Sequence, residues 1–177
     1  MNTTPFPLGA YVNDPNGSDP SAEAAFEGDF SNFTQLMGAA PQFLDYYVDQ
    51  TQPVSAWASN ASWTAWSASQ SIDARDTTPV IGLPMASTDS SMSADAQYKA
   101  FASGQYDSAI QGVVQAWAQQ GFTTQYWRPG WEMNLTSSPS YAGSDAASLA
   151  DWVAAFQHIS TVLHAAGAAD GVNVQVV

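Results

Sequence analysis

Segments typical of β-strands alternate with segments of helical character along the whole 177-residue chain. Short apolar, aromatic or β-branched runs predict strands near residues 8–12, 41–47, 79–85, 124–131 and 173–177. The intervals between them are long enough for helices, so the predicted order is β-α-β-α-β-α-β-α-β. This order predicts a parallel sheet whose neighbouring strands are joined by helical crossovers.

Apolar residues recur at helical spacing in three of the four intervals, and glycines mark the expected ends of these helices. The first helix is expected to end at Gly38 and the third at Gly121. The last helix carries an apolar stripe from Leu149 to Leu163 and is expected to end at Gly167. The second interval, residues 53–69, is rich in Ala, Ser and Trp, and this composition predicts a helix.

Two architectures have this alternation: an open, doubly wound sheet and a (β/α)8 barrel. The open sheet usually carries a glycine-rich phosphate loop after its first strand. Here the corresponding segment, residues 13–17, reads Asn-Asp-Pro-Asn-Gly, which is a turn and not such a loop. A complete barrel takes roughly 250 residues. We therefore expect residues 1–177 to form the N-terminal part of one TIM-barrel-type α/β domain, with four βα units and a fifth strand.

The charge balance limits the partners of such a domain. Sixteen acidic residues face three basic ones, a net charge of −13, which argues against nucleic acid or an anionic membrane as a partner. The chain has no cysteine and no apolar run of transmembrane length. No pattern predicts a cofactor or a metal site. The Ser/Thr/Ala/Gln-rich, lysine-poor composition favours a secreted protein, although no signal peptide is visible.

The fourth predicted strand leads into the most informative segment, residues 128–134, which reads Arg-Pro-Gly-Trp-Glu-Met-Asn. Strand alternation would place Tyr126, Arg128, Gly130 and Glu132 on one side. Glu132 would then lie at the strand end, between an arginine, aromatic rings and an amide. Glycoside hydrolysis uses carboxyl groups held on a rigid element in such surroundings. A solvated acid at a strand tip is the alternative interpretation.

Residues 128–134 resemble the Arg-x-x-His-Glu-Met-Asn motif of the glycoside hydrolase family 26 β-mannanases and their relatives. These enzymes are (β/α)8 barrels that carry the motif at the end of strand four, which is also its position here. Residues 9–11 and 103–107 are similar too. The chain departs from the family pattern at Trp131, where many relatives have His, and at Leu135, where many have Gly.

The resemblance implies a retaining hydrolase of a β-linked, mannan-like polysaccharide, with Glu132 as the general acid/base. Its nucleophile would come from strand seven, beyond Val177, so residues 1–177 alone are expected to be inactive, and poorly soluble or dimeric through open sheet edges. Arg128 and Asn134 are expected as polar supports and Trp131 as a stacking platform. Asp49 is expected to line a sugar subsite, with surface solvation as the alternative. A non-catalytic carbohydrate-binding or structural relative of the same barrel is the alternative function.

Overall fold

A computed structural model of the protein describes residues 8–10 and 20–177. The strands are β1 (Gly9–Ala10), β2 (Phe43–Tyr47), β3 (Thr78–Leu83), β4 (Thr124–Pro129) and β5 (Asn173–Val176). The helices are α1 (Pro20–Met37), α2 (Trp57–Gln70), α3 (Ile72–Arg75), α4 (Ala94–Ala102), α5 (Asp107–Gln119) and α6 (Ala146–Asp170). A 3-10 turn, Val54–Ala56, precedes α2. The rest of the predicted first strand, residues 11–12, and the predicted turn at 13–17 lie outside the described residues.

The sheet has the order β1-β2-β3-β4-β5, and every described pairing is parallel. The prediction of a parallel α/β sheet is therefore confirmed. Because each strand lies beside the preceding strand of the chain, the described order does not reverse as it does in a doubly wound sheet. The arrangement is compatible with part of a TIM-barrel-like fold.

The two faces of the sheet differ in their surroundings. One face packs against the helices in a single apolar core, to which the strands contribute residues such as Leu44, Ile81 and Trp127. Tyr46 on this face contacts the ring of Trp117 from α5, with ring centroids 4.8 Å apart. The other face, which we call the open face, carries the alternate residues of the strands. These side chains are half-buried or exposed, as at Phe43, Asp45, Tyr47, Thr78, Val80, Thr124, Tyr126 and Arg128.

Two of the three predicted helix ends are confirmed and the third is wrong. Helix α1 ends at Met37, next to Gly38 (φ +71°), and α5 ends at Gln119, shortly before Gly121 (φ +91°). Gly167 does not end the last helix, because α6 continues to Asp170 and Gly171 (φ +70°) caps it.

Gly167 instead allows β5 to approach α6 closely. A Cβ at Gly167 would lie 2.5 Å from Val174 Cγ2, too close for any other side chain without a shift. Helix α4 was not predicted, because Tyr98 and Phe101 are its only large apolar residues and make too short a stripe. Ser93 begins this helix by accepting a hydrogen bond from the Ala96 amide.

Candidate functional site

Arg128, Asp45 and Tyr47 form a polar cluster on the open face, near the carboxyl ends of β2 and β4. Arg128 Nη2 lies 3.3 Å from Asp45 Oδ2 and donates a hydrogen bond to the Tyr47 hydroxyl at 2.9 Å. The guanidinium carbon lies 5.5 Å from the centre of the Tyr47 ring, within the range of a cation–π contact. The strand pairing places Tyr47, Gly82 and Arg128 at one level of the sheet. The arginine therefore reaches across β3 to bind both partners.

Gly82 on β3 is what allows this reach. A Cβ at Gly82 would lie 2.7 Å from Cδ1 of Tyr47 and 3.1 Å from Cε3 of Trp131. The two rings meet edge to face over this glycine, with centroids 5.2 Å apart. Tyr47 is 37% exposed and Trp131 is partly buried. Together they form a partly exposed aromatic surface at the carboxyl edge of the sheet.

Burial and pairing shift the pKa of the Asp45 carboxyl in opposite directions. Burial raises the pKa of its carboxyl, while the Arg128 charge and the Tyr47 hydrogen bond lower it, and burial has the larger effect. Asp45 Oδ1 and Arg128 Nε are buried without a hydrogen-bond partner among the described residues. An unpaired buried polar atom is costly, so the ion pair is held in place by the surrounding structure at some expense of stability.

Glu132 lies three residues beyond the end of β4, in a turn. Its φ is +59°, and among the described residues no other non-glycine residue has a positive φ. Gly130 also has a positive φ, of +66°, so the strand ends at Pro129, two residues earlier than predicted. Strand alternation therefore ends before Glu132, and the prediction that Glu132 shares the face of Arg128 stays a prediction. Its side chain is exposed, and its carboxylate has no partner in the described part of the chain.

The segment between β4 and α6, residues 130–145, is held in place by hydrogen bonds to residues of the core. The Tyr98 hydroxyl, on α4, lies 3.0 Å from the carbonyl oxygen of Pro139 and 2.8 Å from that of Tyr141. Ser140 accepts from the Met85 amide through its hydroxyl and from the Trp152 indole through its carbonyl. Burial raises the pKa of the Tyr98 hydroxyl to about 12, so it stays a donor. These hydrogen bonds fix the position of the segment that carries Glu132.

The other two predicted site residues lie outside the polar cluster. Asp49, two residues beyond β2, is exposed and accepts hydrogen bonds from the Thr51 amide at 2.8 Å and hydroxyl at 2.6 Å. These bonds lower the pKa of the Asp49 carboxyl, with the hydroxyl bond the larger cause. Asn134 is exposed in the turn after Glu132. The structure thus brings together Arg128 and Trp131, with Tyr47 between them, while Asp49 shapes its own loop.

Below the cluster, the open face has a depression of about 320 Å³, lined by Gly9, Ala10, Phe43, Asp45, Val80 and Arg128. Phe43 and Tyr126 meet edge to face beside it, with centroids 5.4 Å apart. Within residues 8–10 and 20–177 no three His, Asp or Glu side chains lie close enough to hold a metal ion. In the same residues no helix combines the length and the apolar character needed to cross a bilayer.

Sequence reasoning did not single out Tyr47 or Gly82, or Asp45 as a partner of Arg128. Alternation along β2 does place Asp45 and Tyr47 on one face. Their meeting with Arg128 depends on the pairing of three strands, and the sequence carries no direct signal of that pairing. A glycine inside a predicted strand is the one available signal, because it marks a place of close approach.

No protein-family model matches this chain, and no curated protein shows significant sequence similarity to it. The resemblance to the family 26 β-mannanases therefore depends on the motif residues and on their position after the fourth strand.

Proposed function

We propose that this chain provides the acid/base part of a glycoside hydrolase site, in a (β/α)8 barrel that acts on a β-linked, mannan-like polysaccharide. The observation that carries the proposal is the position of Glu132. It follows the fourth parallel strand in a turn of unfavourable backbone geometry, next to Trp131 and close to the end of the strand that carries Arg128. In barrel enzymes the active site lies at this edge. Unfavourable φ values on non-glycine residues cluster at functional sites.

The chemistry assigned to Glu132 has two steps. Its protonated carboxyl donates to the glycosidic oxygen as the bond to the leaving sugar breaks, and its carboxylate later takes a proton from the attacking water. A retaining reaction also needs a nucleophilic carboxylate about 5–5.5 Å away. Asp45 is held by Arg128 and Tyr47, an arrangement that suits a support for the arginine better than a nucleophile.

Tyr47 and Trp131 are assigned to substrate binding. Sugar rings present flat apolar faces, and the partly exposed pair offers an aromatic surface of matching character. Arg128 offers hydrogen-bond donors to sugar hydroxyls from a position fixed by Asp45. Because these contacts do not require Glu132, they also support the second candidate, a carbohydrate-binding relative without catalysis.

Three variants of the protein that carries this sequence separate the two functions. Binding of β-1,4-mannohexaose is measured by calorimetry and hydrolysis by release of reducing ends. Glu132→Gln should keep binding and remove most hydrolysis, since the amide keeps the shape but cannot donate the proton. Trp131→Ala should weaken binding, and Leu36→Ala, a change at a residue that is 84% exposed on α1, should leave both unchanged.

The outcomes are distinct. Full hydrolysis by Glu132→Gln excludes Glu132 as the general acid. Binding that is sensitive to Trp131→Ala, with no hydrolysis by the unaltered protein, favours the binding function. If the protein neither binds nor hydrolyses any neutral β-linked oligosaccharide, both functions are rejected.

A further inference from the structure

Two tryptophans on α2 form an exposed aromatic pair on the helical side of the sheet. Trp63 and Trp66 lie one helical turn apart, with ring centroids 5.0 Å apart and ring planes tilted by 34°. Trp63 is 52% exposed and Trp66 is partly buried. By contrast, Trp57, Trp117 and Trp127 are almost completely buried. The pair is therefore a surface feature and not part of the core.

The helix that carries this pair is uncharged. Helix α2 has fourteen residues, Trp-Ala-Ser-Asn-Ala-Ser-Trp-Thr-Ala-Trp-Ser-Ala-Ser-Gln, and none carries a charge, although the chain has a net charge of −13. The exposed neighbours of Trp63 are hydroxyl residues such as Ser59 and Ser62. The Ser59 hydroxyl donates to the carbonyl of Ala56, just before α2, and the Ser62 hydroxyl to that of Ala58, which leaves each oxygen able to accept a further hydrogen bond.

The pair is separate from the polar cluster of the open face. Helix α2 contributes Trp57, Ala61, Ala65 and Ala68 to the core, and this core lies on the opposite side of the sheet from Arg128. A ligand on Trp63 and Trp66 therefore does not contact Glu132 or Trp131. The two rings pack against each other, so the surface is preformed.

We propose that Trp63 and Trp66 form an accessory surface that binds a neutral polysaccharide chain. A sugar ring would stack on the exposed indole of Trp63, against which Trp66 packs, and sugar hydroxyls would donate to the serine oxygens beside it. The chemistry of the surface favours this occupant, since indole faces and hydroxyl oxygens suit sugar rings and α2 carries no charge, whereas anionic polymers are repelled by a protein of net charge −13. A neutral polymer is not, and it matches the uncharged surface of α2.

Affinity electrophoresis in native gels that contain soluble β-mannan tests the proposal. Trp63→Ala and Trp66→Ala should each weaken retardation of the protein by roughly two- to ten-fold, the range expected for one lost aromatic contact. Trp63→Phe should keep most of it, and Leu36→Ala should behave as the unaltered protein. A gel containing polygalacturonate, an anionic polymer, should retard none of them.

Two further measurements separate this surface from the site at Glu132. Hydrolysis of mannohexaose, which the Glu132 site is proposed to carry out, should be unchanged by Trp63→Ala and slowed by Trp131→Ala. Equal retardation of Trp63→Ala, Trp66→Ala and the unaltered protein overturns the proposal. So does a dimer in analytical ultracentrifugation that Trp63→Ala dissociates, because the pair would then be an interface between two copies.

Discussion

Replacement of Gly82 by alanine gives a direct test of how the cluster on the open face is built. Gly82 lies on β3, level with Tyr47 on β2 and Arg128 on β4. The new Cβ would lie 2.7 and 3.0 Å from Cδ1 and Cε1 of Tyr47, and 3.1 Å from Cε3 of Trp131. These are ring atoms, so relief requires the whole tyrosine ring to move and the tryptophan ring to give way.

The expected cost follows from three terms. Inserting a methyl group into a packed position costs about 1–3 kcal/mol. Movement of Tyr47 also breaks its hydrogen bond with the Arg128 guanidinium, a further loss of about 1 kcal/mol at this partly exposed position. Alanine recovers about 0.5–1 kcal/mol, because a strand glycine loses more chain entropy on folding. The net expectation is a loss of about 1–3 kcal/mol, which lowers the melting temperature by roughly 2–4 °C per kcal/mol in a chain of this size.

Gly28 provides the matched control. It lies within α1, and a Cβ there would meet nothing within 4 Å, so Gly28→Ala should gain up to about 1 kcal/mol from helix propensity alone. Urea unfolding of both variants, followed by tryptophan fluorescence and circular dichroism, measures the difference. If Gly82→Ala were stabilised as much as Gly28→Ala, the rings would not be held over Gly82 and the described cluster would be wrong.

Four other changes test separate parts of the structure. Glu132→Gly should raise the free energy of unfolding by about 0.5–1 kcal/mol, because the strain relieved at the positive φ exceeds the entropic cost of ordering a glycine. Glu132→Gln keeps the Cβ and should not show this gain in the same urea titration. Gly167→Ala should cost about 1–3 kcal/mol in that titration, because its Cβ would lie 2.5 Å from Cγ2 of Val174. Tyr98→Phe should cost about 1–2 kcal/mol by leaving loop carbonyls unpaired, and proteolysis of the segment before α6 should become faster. The Asp145 side chain accepts hydrogen bonds from the first amides of α6, and the bond from the Ser148 backbone is the main cause of its lowered pKa. The contribution of the charged carboxylate to stability is therefore present above about pH 4. It is lost as the pH falls through the lower pKa of the folded state. The difference in melting temperature between the unaltered protein and Asp145→Asn should therefore shrink below that pH, and a constant difference would contradict the assignment.

The alternation of strands and helices was readable from the sequence because it depends on local patterns. Alternating or continuous apolar runs gave β2, β3 and β5 to within a few residues, and the glycines at 38 and 121 marked helix ends correctly. The failure at Gly167 has a different cause. That glycine is required by the approach of Val174, a residue of the next strand, and the pattern of a single helix contains no information about its neighbour.

The candidate site was only partly readable for a related reason. The motif and its resemblance to the family 26 β-mannanases singled out Arg128 and Trp131, and the structure places both beside Tyr47. The position of Glu132 was not readable, since positive φ values at Gly130 and Glu132 end the strand alternation. A glycine can indicate such a turn, but a φ of +59° is uncommon for glutamate, so the residue type does not predict it.

That local cost helps to decide where function lies in this chain. A left-handed conformation costs an L-residue roughly 1–2 kcal/mol relative to one without a Cβ. The exposed carboxylate of Glu132 makes no hydrogen bond or ion pair with the described residues, so it does not offset this cost. Arg128 and Asp45 likewise leave buried polar atoms unpaired in the described part of the protein. Structural residues rarely accumulate such costs at one place, whereas groups that meet a ligand often do. The carboxyl ends of β2 and β4 are therefore the part of the described structure whose residues are explained least by stability.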